Sequence, residues 1–239
     1  MIAVIIQARM NSSRMPGKTM QEIAGKPLLY YCVHRCQQAK SVDAVIVATT
    51  TSLKDDIIAD WCHKNEINCY RGNEDDVLDR YYQTAKKIGV DIIVRVTSDC
   101  PFADPIVIDT LVRDLKDSGA DYVSNRIRKR TYPHGIDAEV LQFSALEAAW
   151  KNATEKGERE HVTPYVMKHP NIFSVRERSL EEDLSNYRLT VDYPEDFELT
   201  RVLIEEYRAD DLPWRDIIEI VRENPHIAEI NRIRKDIVI

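Results

Sequence analysis

Short apolar runs alternate with segments whose apolar positions return every three to four residues, and this alternation organises the first half of the chain. Residues 1–6, 43–49, 91–97 and 120–123 read as buried strands, because continuous apolar runs bounded by turn residues suit a sheet covered on both faces, and a further short strand is expected over 68–71. Between them lie helical patterns. Pro27 stands well at a helix start, and Leu28, Leu29, Cys32, Val33 and Cys36 form a stripe that stops before Ser41. Further helices are expected over 54–64 and 104–117 and after the acidic run Glu74-Asp75-Asp76. Strands alternating with helices predict a parallel sheet joined by crossovers. From 125 the pattern loosens. Alternation over 125–132, a Pro133-His134-Gly135 turn and a second run over 136–141 suggest an extended ribbon. Helices follow over 144–153 and 158–168, then a β-rich run from Tyr187 to Val191. The chain is helical and acidic after Glu195, breaks at Asn224-Pro225 and closes on a short basic tail, Arg232 to Lys235.

The first strand opens into Ala8-Arg9-Met10-Asn11-Ser12-Ser13-Arg14-Met15-Pro16-Gly17-Lys18, which is basic, hydroxyl-bearing and turn-forming. Such a loop at the carboxyl end of a buried strand suits an anion, since ligands of open α/β sheets bind at that edge. No glycine stands five residues before Gly17, so the loop departs from the P-loop pattern. Two aspartates are placed alike. Asp99 follows the strand 91–97 in Thr97-Ser98-Asp99-Cys100-Pro101, and Asp192 follows the run 187–191 in Val191-Asp192-Tyr193-Pro194. Each ends a β-rich run just before a proline, at the ligand edge, so both are metal candidates. The hydroxyl row Thr49-Thr50-Thr51-Ser52 either caps the next helix or meets a nucleotide. The acidic run 74–79 fits the dipole of a helix N-terminus. The basic run Arg126 to Arg130 either guards a sheet edge or meets an acidic ligand.

The whole chain narrows the options. Its 239 residues, 44% hydrophobic and 31% charged, fit one globular α/β domain. A net charge of −7 argues against non-specific nucleic-acid binding, so any anion site is a local pocket in an acidic protein. No apolar run approaches the ~20 residues of a membrane span, and the N-terminus enters a strand at once, so a cytoplasmic protein is expected. Five cysteines without a C-x-x-C pair read as reduced, partly buried thiols and not as a zinc site.

The spacing A-R-x-x-S-x-R-x-P-G-K, followed by Ile23-Ala24-Gly25-Lys26-Pro27-Leu28-Leu29, resembles the nucleotide-binding signature of the sugar-nucleotide cytidylyltransferases. The branch most similar includes the spore-coat polysaccharide biosynthesis proteins, with acylneuraminate and 3-deoxy-manno-octulosonate cytidylyltransferases as relatives. Gly72-Asn73-Glu74-Asp75-Asp76-Val77-Leu78-Asp79-Arg80-Tyr81, the two aspartate motifs and Glu160-His161-Val162-Thr163-Pro164-Tyr165 resemble further blocks of the family. The resemblance implies a three-layer α/β/α nucleotide-diphospho-sugar transferase fold, Rossmann-like, with a mostly parallel mixed sheet in one domain over 1–239. Residues 125–142 would be an inserted arm exchanged across a homodimer. It also implies transfer of CMP from CTP to an acidic sugar with release of pyrophosphate. Arg9 and Lys18 take catalytic roles, and Ala8, Arg9, Ser12, Arg14, Lys18, Thr49, Gly72, Asn73 and Arg80 the nucleotide. Asp99 and Asp192 take Mg²⁺. Arg128, Tyr132, His134, Glu139 and His161, with Tyr165 beside them, take the sugar. No residue declares itself a general base, and phosphoryl transfer by positioning and charge stabilisation needs none from the protein. A glycosyltransferase using a finished nucleotide-sugar, and a non-catalytic binding module keeping the arginine loop, stay as alternatives. Release of pyrophosphate from CTP separates them.

Overall fold

A computed structural model describes residues 1–234. The chain runs β1 (Ile2–Gln7), a small hairpin β2 (Glu22–Ile23) and β3 (Lys26–Pro27), α1 (Leu28–Gln37), β4 (Ala44–Thr50), α2 (Asp56–Lys64) and β5 (Asn68–Gly72). It continues α3 (Val77–Ile88), β6 (Ile92–Thr97), α4 (Pro105–Ser118), β7 (Tyr122–Ser124), β8 (Glu139–Gln142), α5 (Phe143–Asn152), α6 (Lys156–His161) and α7 (Pro164–Lys168). Last come β9 (Val175–Glu177), α8 (Pro194–Tyr207), α9 (Trp214–Glu223) and α10 (Pro225–Ile230). Seven strands form one sheet in the order β5-β4-β1-β6-β8-β7-β9. The first four are parallel, β8 runs antiparallel to both its neighbours, and β7 and β9 are parallel.

Alternate residues of β1 face opposite layers. Val4 and Ile6 join a core with α1, α4, α8 and α9, whereas Ala3 and Ile5 join a second core with α3, α5 and α7. The result is the three-layer α/β/α arrangement with a mostly parallel mixed sheet. The chain moves from β1 outward to β4 and β5, then returns to lay β6 on the other side of β1, with Gln7 in register with Thr97. That reversal opens a crevice at the carboxyl ends of β1 and β6, where ligands of such sheets bind. No helix among the described residues is long and apolar enough to cross a membrane. The five cysteines are free thiols, four of them buried and Cys69 exposed.

Three expected elements differ. Residues 158–168 are two helices, because Val162 adopts φ 74° and Pro164 starts α7 at a position where its missing N–H is harmless. The run 187–191 forms no strand of the sheet; it makes an isolated bridge, Arg188 to His134, with a residue of the 125–138 loop. The ribbon over 125–132 is an irregular loop. Its backbone polar groups find partners other than a ladder. Asn125 donates to Ile136 O at 2.8 Å and accepts from Ala138 N at 3.0 Å, and Glu177 Oε1 accepts from the N–H groups of Ile127 and Arg128 at 2.9 and 2.8 Å. Tyr132, Ile136 and Ala138 are covered by their own chain, within the first core. Lys235 of the basic tail lies outside the described residues.

Candidate active site

The loop after β1 is held by its backbone. Gly17 N and Ser12 N both donate to Met10 O, at 2.8 and 3.0 Å, and Gly17 takes φ 77°, a left-handed conformation that favours glycine. Met10 N donates in turn to the buried Asp55 at 2.7 Å, and Thr19 Oγ1 donates to Arg9 O at 3.0 Å. Arg9, Ser13 and Arg14 are left facing solvent, while Lys18 turns inward and is buried.

Lys18 Nζ donates to Asp99 Oδ2 and Asp192 Oδ1, both at 3.0 Å, and to Val191 O at 2.6 Å. Two aspartates far apart in sequence therefore meet at one ammonium. The segments carrying them are joined directly: Val191 N donates to Asp99 O at 2.9 Å, and Thr190 Oγ1 donates to the same carbonyl at 3.2 Å. Arg14 Nη2 reaches Asp192 Oδ1 at 2.6 Å, and Arg188 Nη2 reaches Asp192 Oδ2 at 2.9 Å. Arg188 is fixed by Asp196, which also accepts from Asp192 N and Asn231 Nδ2, each at 3.0 Å. Burial would lower the Lys18 pKa, but the two carboxylates outweigh it and raise it. Burial would raise Asp99, but Lys18 and the Thr97 hydroxyl outweigh it and hold the carboxyl below its ordinary range.

Two adjoining cavities share this cluster. One of about 340 Å³ is lined by Ala8, Arg9, Ser12, Arg14, Lys18, Arg80 and Asp99, and by Glu160 and His161. The other, about 390 Å³, is lined by Arg14, Arg95, Arg126, Arg130, His134, Asp137, Glu139, His161, Arg188 and Asp192. Burial, then the nearby Arg130, pushes His134 down to about 4, so it is neutral near pH 7. Glu139 pairs with Arg95 and accepts from Tyr122 Oη at 3.0 Å. A larger groove of about 530 Å³ around Tyr132, Trp214 and Arg178 lies apart from this charged cluster.

Most of the residues marked from the sequence come together here, but several stand elsewhere. Gly72 and Asn73 line neither cavity and instead seat Arg80: Asn73 O accepts from Arg80 Nη1 at 2.6 Å, and a Cβ on Gly72 would come within 3.1 Å of Arg80 Cγ. Thr49 is fully buried outside both cavities, with its hydroxyl unpartnered. Of the hydroxyl row, Thr50 bonds Asp55 and accepts from Ser52 N at 3.1 Å. The acidic run is structural: Asp76 caps α3 and holds Arg159 of α6, and Asp79 accepts from Trp150 Nε1 at 2.8 Å. Arg128 is exposed, Tyr132 packs on Trp214, and Tyr165 packs on His169. Arg95, Asp137 and Arg188 line the second cavity without having been singled out, together with Arg126 and Arg130 of the basic run. A charge inside an apolar strand run, as in Ile92-Ile93-Val94-Arg95-Val96, is the signal that marks Arg95.

The family described as cytidylyltransferase matches residues 3–221. The chain is 39% identical over 229 residues to an uncharacterized protein of Methanocaldococcus jannaschii, covering 95% of this chain and 93% of the relative. It is 34% identical to the spore coat polysaccharide biosynthesis protein SpsF of Bacillus subtilis, covering 95% of this chain and 96% of the relative. A cytidylyltransferase structure from Leptospira borgpetersenii superposes with a TM-score of 0.90 at 32% identity, covering 100% of this chain and 98% of that one. The structure of CMP:2-keto-3-deoxy-manno-octonic acid synthetase complexed with CTP shares the fold, with a TM-score of 0.65 at 18% identity over 86% of this chain and 99% of that one. A family match that spans the loop, both aspartates and both cavities, joined to relatives over 30% identical across nearly the whole chain, makes this protein a member of the cytidylyltransferase family and a nucleotidyltransferase enzyme.

Proposed function

We propose that this enzyme transfers CMP from CTP to a hydroxyl of an acidic sugar of the nonulosonic or octulosonic type, releasing pyrophosphate, in the cytoplasm and on a route to a cell-surface or spore-coat polysaccharide. The observation that carries the reading is the pairing of a basic loop with an adjoining cavity rich in arginine, the two meeting at Lys18, Asp99 and Asp192. A triphosphate on the loop is met by Arg9, Arg14 and Lys18 and by the hydroxyl of Ser12. The acceptor lies beside it, among Arg95, Arg126, Arg130 and Arg188, where a sugar carboxylate is favoured. Its hydroxyl attacks the α-phosphorus in line, and the bond to pyrophosphate breaks. The relatives named for spore-coat polysaccharide synthesis and for an octonic acid support the same class of acceptor.

Asp99 and Asp192 fit Mg²⁺: they are hard oxygen donors drawn to one cationic point, and Mg²⁺ takes one or two carboxylates with substrate phosphates and water. Bound there, it would supply charge neutralisation to the departing pyrophosphate. A homodimer is part of the proposal, and sedimentation at micromolar concentration tests it, a monomer counting against it. The decisive experiment for activity is a matrix of the four nucleoside triphosphates against nonulosonic and octulosonic acids, with and without Mg²⁺, read as pyrophosphate release. The expected result is release with CTP and one acidic sugar, dependent on Mg²⁺. A higher kcat/KM with another base, or transfer from a finished nucleotide-sugar, overturns it.

A further inference from the structure

An ammonium group has three N–H donors, and all three of Lys18 are already taken, by Asp99 Oδ2, Asp192 Oδ1 and Val191 O. The carboxylates it holds have further partners. Asp192 Oδ1 also accepts from Arg14 at 2.6 Å, Asp192 Oδ2 accepts from Arg188 at 2.9 Å, and Asp99 Oδ1 accepts from the Thr97 hydroxyl. In this arrangement Lys18 has no N–H left for a phosphate, and its ammonium stands against an oxygen of each aspartate, the place a divalent ion shared by the two would take. The charges balance as well, with Arg14, Lys18 and Arg188 facing Asp99, Asp192 and Asp196.

We infer that Lys18 and the divalent cation compete for one position: in the nucleotide-free protein the lysine ammonium stands in for the metal, and it has to leave Asp99 and Asp192 before they hold one. This rests on the metal reading above. A divalent ion entering a neutral cluster alone leaves an excess positive charge beside the buried Arg188, which is unfavourable in a desolvated site. A triphosphate removes that excess by drawing the ammonium toward itself. Lys18 is suited to the exchange, since its four-carbon stem is flexible and it lines the cavity that also holds Arg9, Ser12 and Arg14. Metal and nucleotide then bind interdependently, and the metal does not wait in the empty enzyme.

The test is Mn²⁺ binding to the whole protein, measured by electron paramagnetic resonance without nucleotide and without turnover. Lys18→Met keeps the chain length and removes the charge. It is expected to bind Mn²⁺ at least about tenfold more tightly than the wild type, a modest share of what one unit charge a few ångströms away is worth at an effective dielectric of about 20. Adding Asp99→Asn to that variant abolishes the gain. Mn²⁺ also raises the melting temperature of Lys18→Met more than that of the wild type, and Lys18→Gln serves as a second variant if the first does not fold. Should Lys18→Met bind no tighter than wild type while wild type with CTP holds Mn²⁺ in an Asp192-dependent way, Lys18 is no competitor and the inference falls alone. If no form holds Mn²⁺ through Asp99 or Asp192, with or without CTP, the metal reading falls and takes this one with it.

Discussion

Lys18, Asp99 and Asp192 act as one unit, because each carboxylate is held 3.0 Å from the same nitrogen. Asp→Asn at either position keeps the shape and removes a charge, so each variant is expected to need more Mg²⁺ and to lose most of its turnover. Groups that serve one ion are coupled, so the double variant is expected to lose much less than the product of the single losses. Steady-state kinetics across a Mg²⁺ titration checks this. Fully multiplicative losses with an unchanged Mg²⁺ dependence would show that the two carboxylates work apart. At this scale the sequence was most readable where chain geometry and chemistry coincide. An aspartate that ends an apolar run before a proline has few places to be except the sheet edge. The basic run was less readable, since charge alone does not say which side chains reach a cavity: Arg126 and Arg130 line the second one, whereas Arg128 between them does not. Gly72 and Asn73 sit where the family pattern puts them in the chain, yet they act on the cavity through Arg80.

Elements were legible where periodicity is local and illegible where a single residue's backbone decides. Nothing in the apolar spacing of 158–168 announces the positive φ of Val162, although Pro164 marks where a new helix can begin. The alternation over 125–132 has strand period, but Asn125 and Glu177 satisfy the backbone groups a ladder would have used. The turn at Pro133-His134-Gly135 is an element of the site for the same reason. His134 N donates to Tyr187 O at 2.9 Å and Leu189 N donates to His134 O at 2.7 Å, which clamps the loop to the segment that ends in Asp192. A Cβ on Gly135 would lie 2.5 Å from Thr190 N, and Gly135 has φ 96°. Gly135→Ala is therefore expected to cost about 3 kcal/mol or more of stability and to displace Asp192, with loss of turnover. Gly89→Ala is the control: φ is 75° but the space is open, so the cost should be the left-handed penalty alone, about 1 to 2 kcal/mol, with activity kept. Denaturant unfolding of the two variants decides it, and equal costs would dismiss the clamp.

Across the whole molecule, the site exists only when the fold does. Its parts come from the loop after β1, the end of β6 and the segment before α8, and the sheet order that sets β1 beside β6 brings them together. The sequence marked both aspartates for the ligand edge, but across 93 positions (192 − 99) no local pattern shows that one ammonium, that of Lys18, joins them. The protein's net charge is −7, so a triphosphate has no general attraction to it, and the proposed site relies on the local cluster of Arg9, Arg14 and Lys18. An unfolded chain keeps the acidic total and loses the cluster. CTP with Mg²⁺ should accordingly bind the native state alone and stabilise it by about 2.7 kcal/mol at a hundredfold excess over its Kd. For a chain of this length that corresponds to a rise in Tm of about 5 to 10 °C. Differential scanning calorimetry without a sugar acceptor measures it directly. ATP with Mg²⁺ shares the phosphates but not the base, so its smaller shift at equal concentration reports the base preference. A shift of the same size for both nucleotides would remove the support for CTP, and none for either would remove the loop as the triphosphate site.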